Sequence, residues 1–209
     1  MIFHASKFKY FFFLVLIISI VSGCGKKNPT LPLLSTNSVI LAFGDSLTYG
    51  YNVPKTKSYP AFLEVLAGLK VVNAGVSGEI SEQGLKRFPK TLDKHNPQLV
   101  ILCHGGNDML RKLDVKKMEL NLREMIQLSL SREIPVILLG VPKPGLFLSV
   151  ADIYEEIASS MNVIFIKDLI PEVLGNKSLK SDSIHPNEKG YSIMAEEIYS
   201  LLLDTGAIQ

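Results

Sequence analysis

Apolar and polar positions fall in blocks along this chain. Five short runs are continuously apolar: VILAF at 39–43, LKVVN at 69–73, LVILC at 99–103, PVILLG at 135–140 and VIFI at 163–166. A strand with one wet face alternates residue by residue, whereas unbroken runs of this length suit strands covered on both faces. Between the runs the spacing becomes helical, in SYPAFLEVLAG, EQGLKRFPKTLDKHN, DVKKMELNLREMIQLSLSRE and SVADIYEEIASSMN. In the third of these, Met118, Leu122, Met125 and Ile126 share a face, and Asp114 is placed to cap the amino end. The last segment, PNEKGYSIMAEEIYSLLL, sets Tyr191, Met194, Ala195, Ile198, Leu201 and Leu202 on one stripe, with Pro186 suited to a first helical turn. Strand and helix alternating in this way predict a parallel sheet between two helical layers, with right-handed crossovers and ligands at the carboxyl ends of the strands.

The start of the chain breaks the pattern. Lys7 and Lys9 precede YFFFLVLIISIVSGC, a run shorter than the ~20 residues a membrane-spanning helix needs, which reads as an export signal over residues 1–23. Ser22 and Gly23 before Cys24 resemble the lipobox of bacterial lipoproteins, in which the cysteine is acylated and becomes the first mature residue. An ordinary signal peptide or a membrane anchor is the plainer alternative. Residues 24–38 then read as a lipidated Cys24 and a tether rich in turn formers, and 39–209 as one domain.

Length and composition fit that division. With 209 residues, 47% of them hydrophobic and 20% charged, the chain can bury one core and is too short for two. Without residues 1–23, which hold two lysines and no acid, the formal charge of +2 falls to zero, so nothing points to nucleic acid. If Cys24 carries lipid, Cys103 has no disulfide partner and reads as a small buried hydrophobe.

Three strand ends carry polar, glycine-bearing stretches: GDS after the first, NAGVSGE after the second and HGGND after the third. Any one of them could be an ordinary turn. A parallel sheet brings all three to one edge, and a late DSIH adds a histidine. Serine attack on a carbonyl needs a base, an acid to orient that base, and donors facing the oxyanion. Of four histidines, His4 leaves with the signal and His95 precedes the third strand at the far edge, so His104 and His185 remain. His185 has Asp182 three residues before it, a spacing that in a turn lets a carboxylate hold one imidazole nitrogen while the other faces away. His104 has no acid so placed and reads as a packing or loop residue. Asp45 and Asp108 sit in tight turns and read as backbone caps. Backbone N–H groups at Ser46 and Gly78 and the Asn107 amide are the candidate oxyanion donors, each worth about 2.7–4 kcal/mol of barrier stabilisation. The GxSxG elbow is absent around Ser46, and no GxGxxG follows the first strand.

These residues resemble the SGNH subgroup of GDSL hydrolases, and within it the bacterial periplasmic arylesterase, thioesterase and lysophospholipase type, over residues 39–203. The resemblance implies Ser46 in GDSLTYG as nucleophile, Asp182 and His185 in DSIHP as the other triad members, and Gly78 and Asn107 as oxyanion-hole residues beside Ser46. Gly78 is preferred to Gly75 for its place in SGE. The implied fold is a flavodoxin-like three-layer α/β/α sandwich on a five-stranded parallel sheet, using no metal and no organic cofactor.

The expected reaction is hydrolysis of acyl esters, thioesters or lysophospholipids through an acyl-Ser46 intermediate. The stretch VPKPGLFLSVADIY places Leu146, Phe147 and Leu148 near the same edge, where they line an acyl groove or simply begin a buried helix. Two other readings are a carbohydrate or peptidoglycan O-acetylesterase and a non-catalytic envelope binding lipoprotein. The expected partners are a small ester or lipid substrate and, through Cys24, the periplasmic side of a bacterial membrane, with the protein a monomer that binds no nucleic acid.

Overall fold

In the computed structural model, which describes residues 30–145 and 148–209, five parallel strands form one sheet in the order β2-β1-β3-β4-β5. The strands are β1 (Val39–Gly44), β2 (Lys70–Gly75), β3 (Leu99–Cys103), β4 (Val136–Leu139) and β5 (Ile164–Ile166). The three central strands are buried from end to end apart from the first residue of β1, because helices cover both sheet faces. At the edges, β2 and β5 are only partly buried, so continuous apolarity overstates their cover. The export signal, Cys24 and the groove residues Leu146 and Phe147 lie outside the described residues.

Among the described residues eight α-helices follow the strands: α1 (Ser46–Tyr49), α2 (Tyr59–Ala67), α3 (Ser81–His95), α4 (Gly106–Leu110), α5 (Val115–Leu130), α6 (Asp152–Met161), α7 (Leu169–Gly175) and α8 (Glu188–Asp204). Helices α2, α7 and α8 pack together as one layer, and α3, α5 and α6 as the other. Asp114 caps α5 by accepting the Lys116 N–H at 2.8 Å. The α8 stripe is buried at Tyr191, Met194, Ala195, Ile198 and Leu202, while Leu201 stays partly exposed. Pro186 does not enter that helix, whose cap is Asn187, because Pro186 pairs instead with Lys180 in an isolated antiparallel bridge. Helix α7 is the one element of the layers that the apolar spacing does not announce.

Part of the stretch read as tether belongs to the fold. Leu31 and Leu34 enter the core cluster, and the Leu34 N–H donates to the Ala207 carbonyl at 2.8 Å. Among the described residues no helix is long and apolar enough to cross a membrane.

Register decides where the chemistry gathers. Gly44 stands level with Gly75 on one side and Cys103 on the other, so β1, β2 and β3 end in one row. Successive connections leave β1 in opposite directions there, the switch point at which open parallel sheets open a crevice.

Candidate active site

Ser46 is the first residue of α1, and the turn into it is fixed by Asp45. The Asp45 carboxylate caps the helix through the Leu47 N–H at 3.1 Å and accepts the Asn107 side-chain amide at 3.3 Å. Burial raises the Asp45 carboxyl above its ordinary value against the pull of His104 and the Leu47 N–H. This is the capping role that the turn implies.

Opposite Ser46 lies the loop before α8. His185 Nε2 is 3.0 Å from Ser46 Oγ, and His185 Nδ1 is 2.8 Å from Asp182 Oδ2. Asp182 Oδ1 accepts the Ile184 N–H at 2.9 Å and the His185 N–H at 2.8 Å, so the carboxylate is locked by its own turn. Asn52 adds a donor to Asp182 Oδ2 at 2.9 Å, and the Tyr51 ring lies 4.5 Å from the imidazole, centroid to centroid. Burial alone would raise the Asp182 carboxyl, but the Ile184 N–H and the adjacent His185 hold it below its ordinary value. Neither Asn52 nor Tyr51 is singled out by sequence reasoning, although both sit in the polar loop just after Ser46.

The remaining donors come from two neighbouring loops. The Asn107 side chain lines the same cavity as Ser46 and donates to the Glu79 carbonyl at 3.0 Å. Gly78 has φ +77°, a left-handed conformation that favours glycine, and its carbonyl accepts Arg111 Nη2 at 2.7 Å. Gly78 is not among the residues lining the cavity. Gly75, the alternative, has its N–H engaged by Asn73 Oδ1 at 3.0 Å.

Beneath these loops is a buried polar cluster. Glu79 accepts Arg87 Nε at 2.7 Å and lies 3.1 Å from His104 Nε2. Arg87 also donates to the carbonyls of Ala74 at 3.0 Å and Gly44 at 3.3 Å, the ends of β2 and β1, and covers the Phe43 ring. His104 Nδ1 accepts the Gly105 N–H at 3.1 Å, which leaves the proton on Nε2 to donate to Glu79. Burial would raise the Glu79 carboxyl, yet the hydrogen bonds from His104 and Arg87 hold it low. His104 is fully buried in this cluster, and Asp108 takes the Ser81 N–H at 2.8 Å at the start of α3. Both are structural, and for His104 the signal was present in SGE, whose glutamate has a partner 25 residues on.

The cavity at Ser46 has a volume of about 260 Å³. Ser46, Asn107 and His185 meet Leu47, Leu110, Val141, Leu148, Leu174 and Ile184 there, so a polar end adjoins an apolar chamber. Leu148 is the described member of the expected groove. Among the described residues no group of three or more His, Cys, Asp or Glu side chains gathers as a metal-ligating cluster.

Comparison with known proteins bears on the family and the fold. The family model of GDSL-like Lipase/Acylhydrolase matches residues 42–193. The thioesterase 1/protease 1/lysophospholipase L1 of Escherichia coli K12 is 31% identical over 165 residues, 75% of this chain and 79% of that protein. The arylesterase of Vibrio mimicus is 32% identical over 168 residues, 75% of this chain and 84% of its own. Among solved structures, the crystal structure of TesA matches with a TM-score of 0.74 at 26% identity, covering 80% of this chain and 99% of that one.

Proposed function

This chain belongs to the GDSL-like lipase/acylhydrolase family, and from that premise we propose that it hydrolyses acyl esters, thioesters or lysophospholipids through an acyl-Ser46 intermediate. The observation that carries the reading is the unbroken hydrogen-bonded chain from Ser46 Oγ through His185 to Asp182 at the polar end of an apolar cavity.

His185 Nε2 takes the Ser46 proton as Oγ attacks the carbonyl carbon, and Asp182 stabilises the imidazolium that forms. Charge developing on the carbonyl oxygen is met by the backbone N–H groups of Ser46 and Gly78 and by the Asn107 amide, whose longer bond, to Asp45 at 3.3 Å, gives way to the oxyanion. His185 returns the proton to the departing alcohol or thiol. A water deprotonated by the same nitrogen then releases the acid and restores Ser46.

The apolar chamber favours chains longer than acetyl, since an acetyl group would leave most of that lining without a partner. The O-acetylesterase and binding-lipoprotein readings are therefore not favoured, and the relatives carry esterase, thioesterase and lysophospholipase names. Acylation of Cys24 and anchoring on the periplasmic side of the envelope complete the proposal, on the charged start, apolar core and small residues before the cysteine.

Hydrolysis of p-nitrophenyl esters from acetate to palmitate tests it. Ser46→Ala and His185→Ala are expected to lower kcat about ten-thousand-fold, with an optimum beyond acetate. Turnover that survives Ser46→Ala in pure protein would overturn the mechanism, and a sharp acetate preference would return the case to O-acetyl substrates.

A further inference from the structure

Twelve large apolar side chains are exposed among the described residues, and six of them lie in the segments that follow β1, β2 and β3 or precede α8: Tyr51, Val76, Leu110, Leu113, Val115 and Ile184, of which Leu110 and Ile184 line the cavity. The densest part is the stretch 110–117, which follows Asn107 and is exposed at every position. Leu110, Leu113 and Val115 are 42%, 40% and 46% exposed, and Leu110 also lines the cavity.

Charge on this stretch is one-sided. It holds Arg111, Lys112, Lys116 and Lys117 against a single acid, Asp114, whose carboxylate is already engaged by the Lys116 and Lys117 N–H groups; Lys116 pairs with Glu119 at 2.8 Å, and Glu82 lies within electrostatic reach of Lys117. Lys112 and Lys117 make no ion pair among the described residues, and neither does Lys143, an exposed residue that lines the cavity. Exposed apolar side chains interleaved with unpaired lysines are the composition that adsorbs to anionic lipid, the apolar groups entering the interface and the cations meeting the head groups.

We propose that this edge docks on the surface of an anionic phospholipid bilayer, so that single-chain esters pass from that surface into the cavity at Ser46. The second half of the statement rests on the esterase reading above, while the docking itself does not. Val39, the first residue of β1, stands at the opposite edge of the sheet from these segments.

The test uses the mature chain from residue 24 with Cys24→Ser, so that no lipid anchor contributes, in sedimentation with phosphatidylglycerol or phosphatidylcholine vesicles. Binding to phosphatidylglycerol is expected to exceed binding to phosphatidylcholine and to fall as salt is raised. Leu113→Ser with Val115→Ser, and separately Lys112→Glu with Lys117→Glu, are each expected to weaken it about tenfold or more, roughly fivefold per lysine lost. Turnover of p-nitrophenyl butyrate should stay within about twofold of wild type in both variants, which reports that they are folded. Wild type that turns over the ester but does not sediment, sediments equally with both lipids, or is unmoved by both variants overturns the docking. Wild type that sediments as expected but fails to hydrolyse any ester overturns the catalytic reading and leaves the docking standing.

Discussion

Arg111 Nη2 donates to the carbonyl oxygen of Gly78 at 2.7 Å. One turn earlier in the chain, the Asn107 amide holds the next carbonyl, that of Glu79, at 3.0 Å. Two successive peptide planes are thus gripped from α4 and the residue just after it, in a loop where Gly78 has no side chain to fix its own conformation. The grip fixes the two peptide planes that follow Gly78, and so limits how far the backbone can turn next to the Gly78 N–H that the proposed oxyanion site requires.

Arg111 is exposed, so its removal separates positioning from folding. Arg111→Ala is expected to lower kcat about tenfold, a fraction of what losing a donor outright costs, with KM and thermal midpoint nearly unchanged. Steady-state kinetics beside a melting curve decide it, and a partial return of kcat in Arg111→Lys would separate a held carbonyl from a general effect of charge.

The Glu79 cluster makes stability depend on acidity. The folded Glu79 carboxyl is held below its ordinary value of 4.5, so its contribution is fully present above that value and is lost as pH falls through the lower folded value. Asp182, lowered from 3.8, adds a contribution of the same sign. Chemical denaturation between pH 7 and 3 should show stability falling on the acid side, and Glu79→Gln should flatten that fall. The same variant leaves Arg87 without its counter-charge and is expected to cost about 3 kcal/mol at pH 7.

Gly84 in α3 faces the imidazole of His104. A Cβ placed there would lie 2.5 Å from His104 Nε2, on a ring held at both nitrogens. Gly84→Ala is therefore expected to destabilise by about 1–3 kcal/mol, although alanine favours helices. A urea titration that finds the variant as stable as wild type would show that the ring can move aside.

Cys103 is fully buried at the end of β3, and burial pushes its thiol well above the ordinary range. It should not react with a thiol reagent in the native protein. If Cys24 is acylated, a mature chain should show no reactive thiol when folded and one when unfolded. Two on unfolding would mean that Cys24 carries no lipid.

The alternation of strand and helix was legible because apolar period is local: LVILC and PVILLG read as covered strands without knowledge of their neighbours. Asp182 and His185 were legible for the same reason, lying three residues apart in one turn, and Ser46 stood out where an apolar run met GDS. Other features have no local trace. Arg87 reaches the carbonyl of Gly44 across 43 positions, and Asn52 reaches Asp182 across 130. Leu31 and Leu34, which follow turn formers and polar residues, become core only because the last residues of the chain return to cover them. The sequence by itself determined the five strands, all the layer helices but α7, their order and the residues able to do chemistry, since those follow from period, turn propensity and residue type. Only the tertiary structure decided which polar groups meet beneath the site and which apolar ones stay at its mouth, because burial and hydrogen-bond partners are set by register and packing between segments far apart in the chain.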